Sequence, residues 1–245
     1  MARPRVHLRN APIVEALIDF RVLRAEGISG ESFAGLRSSI GEQYTQASPM
    51  HSIEARFGID RGRWISPEPV QSAVGWMYRA NAAVAQFRVD GFTFSKVEPY
   101  TRWEEVFGEA LRLWRCYVRA ARPVQVSRVA VRYINRMRAP GPADLRVYLE
   151  APPVLPPPIP QTIREFLSRV FVEDNTRNAN AIIVQALEPQ VDPTTISLLL
   201  DIDAFREVAL PPEDVSLPDI FEQLRRLKND VFFASITERT AEMYE

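Results

Sequence analysis

The chain has 245 residues, of which 46% are hydrophobic and 25% charged. A chain of this length and apolar content can bury a full core, as one large domain or two small ones. Its 30 basic and 31 acidic side chains give a formal net charge of −1, which excludes a global electrostatic attraction to nucleic acid or membrane. The single cysteine, Cys116, excludes a disulfide framework and a thiolate metal site.

The N-terminal segment MARPRVHLRNAP lacks the apolar core of a signal peptide. No apolar run approaches the roughly 20 residues that a membrane-spanning helix needs. We therefore expect a cytoplasmic protein that makes no membrane contact.

The first half of the chain reads as a strand, a helix, several strands and a closing helix. The opening strand is PIVEALIDFRVL, and a helix is predicted over residues 30–46. Segments 51–60, 74–83 and 84–97 are rich in β-branched and aromatic residues and predict strands. In the closing helix, which starts near residue 102, apolar residues recur at helical spacing and predict a core stripe. The residues of this stripe are Phe107, Leu111, Trp114, Val118 and Ala121.

The second half repeats this order of elements. VQVSRVAVRYINRM predicts a strand, residues 160–172 predict a helix, and segments 178–189 and 194–205 predict strands. The closing helix is predicted to begin near Leu217, with Ser216 as N-cap and Pro218 in the first turn. Residues 139–160 contain eight prolines and predict a long surface loop with polyproline segments.

Three blocks align when the sequence is shifted against itself by 113 residues. EALIDFRV lies over RVAVRYIN, and Asp90 falls on Asp203; one residue later, Phe107 falls on Phe221. We therefore predict an α+β fold in which two β-α-βββ-α units, residues 1–122 and 123–245, form one compact pseudo-two-fold molecule. Its sheet would be continuous and antiparallel with helices on one face, as in the saddle of the TATA-box-binding protein, an analogy that carries no function.

Residues that commonly carry catalysis are few. His7 and His51 have no Cys, Asp or Glu at metal-ligand spacing, and no glycine-rich phosphate loop occurs. We assign no metal, cofactor or catalytic residue, and we read Cys116 as a small buried hydrophobe. Asp201 and Asp203 share a strand face, where they either bind Mg²⁺ or mark a solvated strand end.

Arginine placement is the strongest local anomaly. Between Glu109 and Asp144 there are eight arginines and no acidic residue. Arg112, Arg115, Arg119 and Arg122 form a stripe on the closing helix, and Arg128, Arg132, Arg136 and Arg138 belong to the following strand and its exit. Because a strand repeats every two residues, Arg128, Arg132 and Arg136 are predicted to share one face. These arginines form either an anion-binding surface for phosphate, nucleic acid or an acidic partner protein, or a solvated surface with countercharges from elsewhere in the chain.

The blocks NAPIVEALIDFRV, SRVAVRYINRM and DVFFASITERTAEMYE together resemble a sporadically distributed, TIGR-type bacterial and archaeal family of proteins of about this length. The resemblance covers nearly the whole chain. Arg132, Tyr133, Asn135 and Ser235 to Thr237 match the family's motifs. The resemblance implies no activity and no catalytic residues.

The two opening strands are predicted to pair antiparallel at the centre of the sheet. Their register is predicted to place opposite charges across from one another, because directly opposed like charges are destabilising. The predicted opposed pairs are Glu15 with Arg132, Asp19 with Arg128 and Leu17 with Ala130. This register leaves Arg136 freer to meet a ligand, with Asn135 and Arg138 beside it. The predicted ligand-binding residues are therefore Arg132, Asn135, Arg136 and Arg138.

Two functions follow from these patterns. The first is a non-enzymatic binding or accessory protein that uses the arginine-rich surface for an anionic ligand, nucleic acid or a partner protein. The alternative is an enzyme for a phosphorylated or other anionic substrate, with arginine clamps and Asp201 or Asp203 as base or Mg²⁺ ligand. A closed pocket with a carboxylate near Arg132 would favour the enzyme, and a shallow open sheet face would favour binding.

Overall fold

The computed structural model describes residues 8–54, 58–60, 63–65, 70–141, 144–189 and 194–245. Within these residues the strands are β1 (Ile13–Leu23), β2 (Gln46–Glu54), β3 (Gly58–Asp60), β4 (Arg63–Ile65), β5 (Val70–Ala80), β6 (Ala83–Arg88), β7 (Gly91–Val97), β8 (Gln125–Pro140), β9 (Phe166–Asp174), β10 (Ala179–Glu188) and β11 (Thr195–Leu210). The helices are α1 (Arg37–Ile40), α2 (Trp103–Ala121), α3 (Leu217–Ser235) and α4 (Glu238–Glu242), with 3₁₀ turns at Gly30–Phe33 and Leu145–Val147.

Nine of the described strands form one sheet in the order β2-β5-β6-β7-β1-β8-β11-β10-β9, and every neighbouring pair is antiparallel. β3 and β4 form a separate two-stranded ribbon. The prediction of an α+β fold with one continuous antiparallel sheet is confirmed. β1 and β8, the two predicted opening strands, are neighbours at its centre.

One face of the sheet carries the main core. Alternation in β1 buries Ala16, Ile18 and Phe20 on this face. The Phe20 ring stacks on Trp114 of α2 with 4.1 Å between ring centroids, and it packs against Phe221 of α3 at 4.9 Å. Both long helices therefore lie on the same face of the sheet.

A second apolar cluster lies on the same face of the sheet and includes residues from the C-terminal part of the chain. Met137 and Leu198 from the sheet pack there with Tyr148, Phe232 and Ile236. The Thr237 hydroxyl donates to the Val147 carbonyl at 2.6 Å, which ties the chain after α3 to the proline-rich segment.

The prediction of a surface loop over residues 139–160 is partly wrong. β8 continues to Pro140, which lies opposite Thr195 at the end of the ladder. Leu145, Tyr148 and Leu149 are buried in the second cluster, and Leu149 bridges to Ile236. The physical reason is that an apolar run inside a proline-rich segment still gains by leaving water. Residues 142–143 lie outside the described part.

Two predicted helices are corrected. Residues 30–46 hold only the first 3₁₀ turn and the four-residue α1, because Gly41 at φ 112° leaves helical geometry. Residues 160–172 contain most of strand β9 instead of a helix. Its valines and phenylalanines favour the extended chain, and β10 satisfies its backbone on one side.

The observed register between β1 and β8 differs from the predicted one by two residues. Leu17 lies opposite Arg132, Asp19 opposite Ala130, and Arg21 opposite Arg128. The prediction used only charges in β1 and β8, whereas bulges and packing on the buried face set the register.

Asp90 lies in the turn between β6 and β7, whereas Asp203 lies inside β11. This part of the sequence alignment between the halves does not match the strands. Among the described helices, none has the length and apolar character needed to cross a membrane.

Candidate functional site

The face of the sheet opposite α2 and α3, which we call the open face, carries most of the charged side chains of the strands. In β8, Arg128, Arg132 and Arg136 alternate with Val129, Val131 and Tyr133, whose side chains are buried under the helices. The three arginines therefore share the open face, as their spacing predicted.

Carboxylates from β11 meet two of these arginines. Arg132 binds Asp201 through two hydrogen bonds, Nε to Oδ1 at 2.9 Å and Nη2 to Oδ2 at 2.5 Å. Arg128 donates from Nη2 to Oδ2 of Asp203 at 2.7 Å, and its guanidinium lies 4.2 Å from the Phe205 ring centroid. A two-point guanidinium–carboxylate contact fixes the orientation of both groups.

The third arginine of the strand is also paired. Arg136 donates to both carboxylate oxygens of Glu188 in β10, at 3.1 and 3.2 Å. Ser197 donates a further hydrogen bond of 2.5 Å to the same carboxylate. The hydrogen bond from Ser197, with a smaller effect of Arg136, lowers the pKa of Glu188. Arg136 is therefore not left freer than Arg128 and Arg132, as the predicted register implied, since β10 supplies its countercharge; its role in ligand binding stays a prediction.

Asp19 of β1 joins the two halves of this network. Thr93 donates to its Oδ1 at 2.5 Å, and Arg88 lies 3.3 Å from the same atom. Arg21 and Arg128 approach its Oδ2 at 3.3 and 3.5 Å.

Asp90 extends the network into the first half of the sheet. It binds Arg21 at 2.7 Å and Arg88 at 3.2 Å. We call the whole set the arginine–carboxylate ladder; it comprises Arg21, Arg88, Arg128, Arg132 and Arg136 with Asp19, Asp90, Glu188, Asp201 and Asp203.

Burial and charge act against each other along the ladder. Burial raises the pKa of Asp203 although Arg128 opposes this change. The hydrogen bonds from Arg132 to Asp201 raise the pKa of the Arg132 guanidinium, with burial opposing. The Arg132 side chain keeps 45% of its surface exposed, whereas Asp201 keeps 11%. The ladder is thus a partly buried network in which Arg88 and Arg128 are the least exposed arginines.

The other predicted ligand-binding residues divide between the two faces. Asn135 is buried on the helix side, where its amide donates to the Leu200 carbonyl at 2.9 Å. It serves the fold and does not lie beside Arg136 on the open face, so that prediction is wrong. The exposed Arg138 belongs to the open face, opposite Ser197.

The predicted stripe on α2 is exposed except at its first member. Arg112 donates to Glu109 at 2.7 Å and to the Ile40 carbonyl at 2.6 Å. Arg119 donates to the buried Cys116 sulfur at 3.2 Å. Arg115, Arg119 and Arg122 are exposed. Arg112 therefore ties α2 to α1, and the other three remain available to solvent.

A buried lysine under the sheet was missed by the sequence reasoning. Lys228 of α3 lies with its Nζ 3.7 Å from the Tyr133 ring centroid and donates to Asn229 at 2.6 Å. The Tyr133 hydroxyl lies 3.0 Å from that of Tyr100. Among the described residues, no carboxylate forms an ion pair with Lys228. Burial, with a smaller contribution from Arg225, lowers the pKa of Lys228 to about 7.

Two surface cavities of about 480 Å³ each are lined by residues outside the arginine–carboxylate ladder and away from Lys228. One is lined by the proline-rich segment, including Pro153 and Ile163, and the other by residues around Arg79 and Val97. Neither cavity is lined by Arg132 or Lys228. Within the described residues, no three His, Cys, Asp or Glu side chains are placed to hold a metal ion.

No protein-family model and no curated protein matches the chain. The geometry of the open face is therefore the basis for a functional proposal.

Proposed function

We propose that this protein is a non-enzymatic binding protein that docks a partner protein on the open face of its sheet. The observation that carries this proposal is the arginine–carboxylate ladder, in which the arginines of β8 are paired with carboxylates of β10 and β11.

Charge balance favours a protein partner over nucleic acid. By strand alternation, the described open face carries Arg21, Arg79, Arg88, Arg128, Arg132, Arg136, Arg138 and Arg169 against Glu15, Asp19, Glu173, Glu188, Asp201, Asp203 and Glu207, with Asp90 at its edge. Eight cations then meet eight anions. Phosphate backbones bind through unneutralised cations, whereas a protein surface can match both signs.

Apolar side chains between the charges add to this argument. Leu17 and Ile134 lie on the open face, are half-buried, and belong to neither core cluster. Ile182 and Leu199 have the same placement on β10 and β11. Protein interfaces combine apolar contacts with a polar surround, and arginine is enriched in them.

The enzyme alternative has less support. Asp201 does lie within reach of Arg132, but the two groups bind one another and line neither of the two cavities. An arginine bound to its own carboxylate must lose that contact before it can clamp a substrate.

We also propose that the two halves are copies of one unit arranged as a saddle. Outward from the centre, β1-β7-β6-β5 on one side corresponds to β8-β11-β10-β9 on the other, with β2 added at one edge. Helices α2 and α3 both have 19 residues and are offset by 114 at both ends. A duplicated unit supplies both halves of a continuous face on which a partner can lie.

The test begins with affinity purification from the native host and identification of the copurifying protein by mass spectrometry. The purified partner is then titrated calorimetrically against the wild type, Ile134→Glu and Val215→Glu. Ile134→Glu should weaken binding by about tenfold or more, because it places an unpaired charge inside the interface. Val215 is exposed in the loop before α3, so Val215→Glu is the matched control and should bind as the wild type.

A partner that binds Ile134→Glu and Leu17→Glu as tightly as the wild type would overturn the proposal, provided that both variants have the melting temperature of the wild type. If nucleic acid copurifies and Arg115→Glu with Arg119→Glu abolishes its binding, the helix stripe is the functional surface instead.

A further inference from the structure

Strand β9 forms one edge of the nine-stranded sheet, and no described strand pairs with its outer side. It has nine residues, and it exposes apolar side chains on both faces: Leu167 is 75% exposed, Val170 48% and Phe171 48%. Long apolar edges invite pairing with another strand, and proteins that remain monomeric usually block them with charges, prolines or bulges. β9 contains no proline, and its pairing with β10 is regular.

The charges on β9 are complementary to a second copy of the same strand. Arg169 and Glu173 lie two residues on either side of Phe171, and all three side chains share the open face. Both charged side chains are exposed, and neither has a hydrogen bond or ion pair among the described residues. Two charges of one sign at these positions would repel a copy, but opposite charges attract one.

A two-fold axis through Phe171 fixes the register of such a pairing. Antiparallel pairing about this axis puts Phe171 opposite Phe171 of the second copy, and Arg169 opposite Glu173 in both directions. On the other face Val170 lies opposite Val172. The five central positions thus form aromatic, aliphatic or oppositely charged pairs, which are the pairs that stabilise antiparallel strands, and the next pair outward is Ser168 with Asp174.

We infer that the protein forms a homodimer by antiparallel pairing of β9 with β9 of a second copy, centred on Phe171. Such a contact is isologous and closes with two-fold symmetry, so it ends at two chains. It joins two nine-stranded sheets into one and removes both β9 edges from solvent. This inference is independent of the partner proposed for the open face.

Charge reversal tests the register in solution. Sedimentation velocity should show a dimer for the wild type. Arg169→Glu or Glu173→Arg alone should weaken dimerisation by roughly ten- to a hundredfold, because two attractive pairs become repulsive. The double variant R169E/E173R restores both pairs and should restore the dimer. Glu213→Arg makes the same charge change in the exposed loop before α3 and should leave the dimer intact.

Cysteine crosslinking tests the axis. Directly opposed residues of antiparallel strands are close enough for a disulfide, so Phe171→Cys should crosslink under mild oxidation. Leu167→Cys should not, because its own copy lies eight residues away along the paired strands. The natural Cys116 is buried and does not compete. A wild-type monomer at all concentrations, a dimer that the single reversals leave unchanged, or a double variant that is not rescued would each overturn the inference.

Discussion

At the scale of single residues, Lys228 stands out because the chain uses arginine almost everywhere else. Only two of its 30 basic residues are lysine, and one of them is buried with no carboxylate partner in the part of the chain that the structure describes. An arginine at this position would keep its charge, whereas a lysine can lose its proton when it is buried. The groups that act on it are the Tyr133 ring of β8 and Arg225 of α3, and Tyr133 in turn is influenced by Tyr100 and Glu104.

Replacing Lys228 by methionine should remove a pH dependence of the free energy of unfolding. The pKa of Lys228 is about 7 in the folded chain, against the ordinary value of 10.5. Between these values the unfolded chain binds the additional proton, so the stability of the wild type rises with pH by roughly 3–5 kcal/mol. Below pH 7 the charge is buried in the folded chain, and Lys228→Met should be more stable there than the wild type.

Urea unfolding of the wild type and Lys228→Met across this pH range measures the slope. Lys96→Met is the control, since Lys228 is intact in it and the slope should persist. Burial raises the pKa of Tyr133 and Tyr100, so the loss of their protons in the unfolded chain lowers stability only above about pH 10. Equal slopes in the wild type and Lys228→Met would contradict the burial of a neutral amine.

At the scale of secondary-structure elements, two glycines should respond in opposite directions to alanine. Gly108 is exposed within helix α2, and an added Cβ would meet no atom within 4 Å. Gly108→Ala should therefore stabilise the protein by about 0.5–1 kcal/mol, because alanine loses less backbone entropy.

Gly75 of β5 is the contrasting position. A Cβ there would lie 2.2 Å from the Phe87 carbonyl oxygen, so Gly75→Ala should destabilise the sheet. Thermal unfolding of both variants compares them directly. A loss of stability in Gly108→Ala would mean that α2 is more crowded at that position than the structure shows.

Sequence patterns predicted the elements that have strong periodicity. The apolar spacing of α2 and the Ser216-Pro218 start of α3 gave both helices, and the alternation in β1 and β8 gave the central strands. β9 was read as a helix because its valines and phenylalanines fit both periods over a short run. Its pairing with β10, the next strand after a connection of four residues, decides the structure.

At the scale of the whole molecule, the sequence predicted which arginines share a face but not their partners. Arg132 was expected to meet Glu15 across the centre of the sheet, and it binds Asp201 of β11 instead. Both candidate carboxylates lie far from Arg132 in the chain, Asp201 at a separation of 69 residues and Glu15 farther still. Only the register and strand order decide between them, and both depend on packing of the buried face.

The resulting open face is large, uncovered by the described long helices and internally neutralised. Strand alternation places its arginines, and the strand order of the second half puts β11 beside β8 and β10 next to β11, so that carboxylates of both strands reach them. The central claim is that these arginines serve the fold and a protein interface, and do not serve a phosphate backbone.

The salt dependence of binding to a labelled DNA duplex tests this claim most directly. The slope of log K against log salt is measured by fluorescence anisotropy for the wild type and for Arg128→Ala with Arg132→Ala. Because both arginines are already paired, the account predicts that this double variant leaves the slope unchanged. An absence of wild-type binding at low salt would agree with the same account. A wild-type slope that falls by about one unit for each arginine removed would show that the open face contacts phosphate, and it would contradict the account.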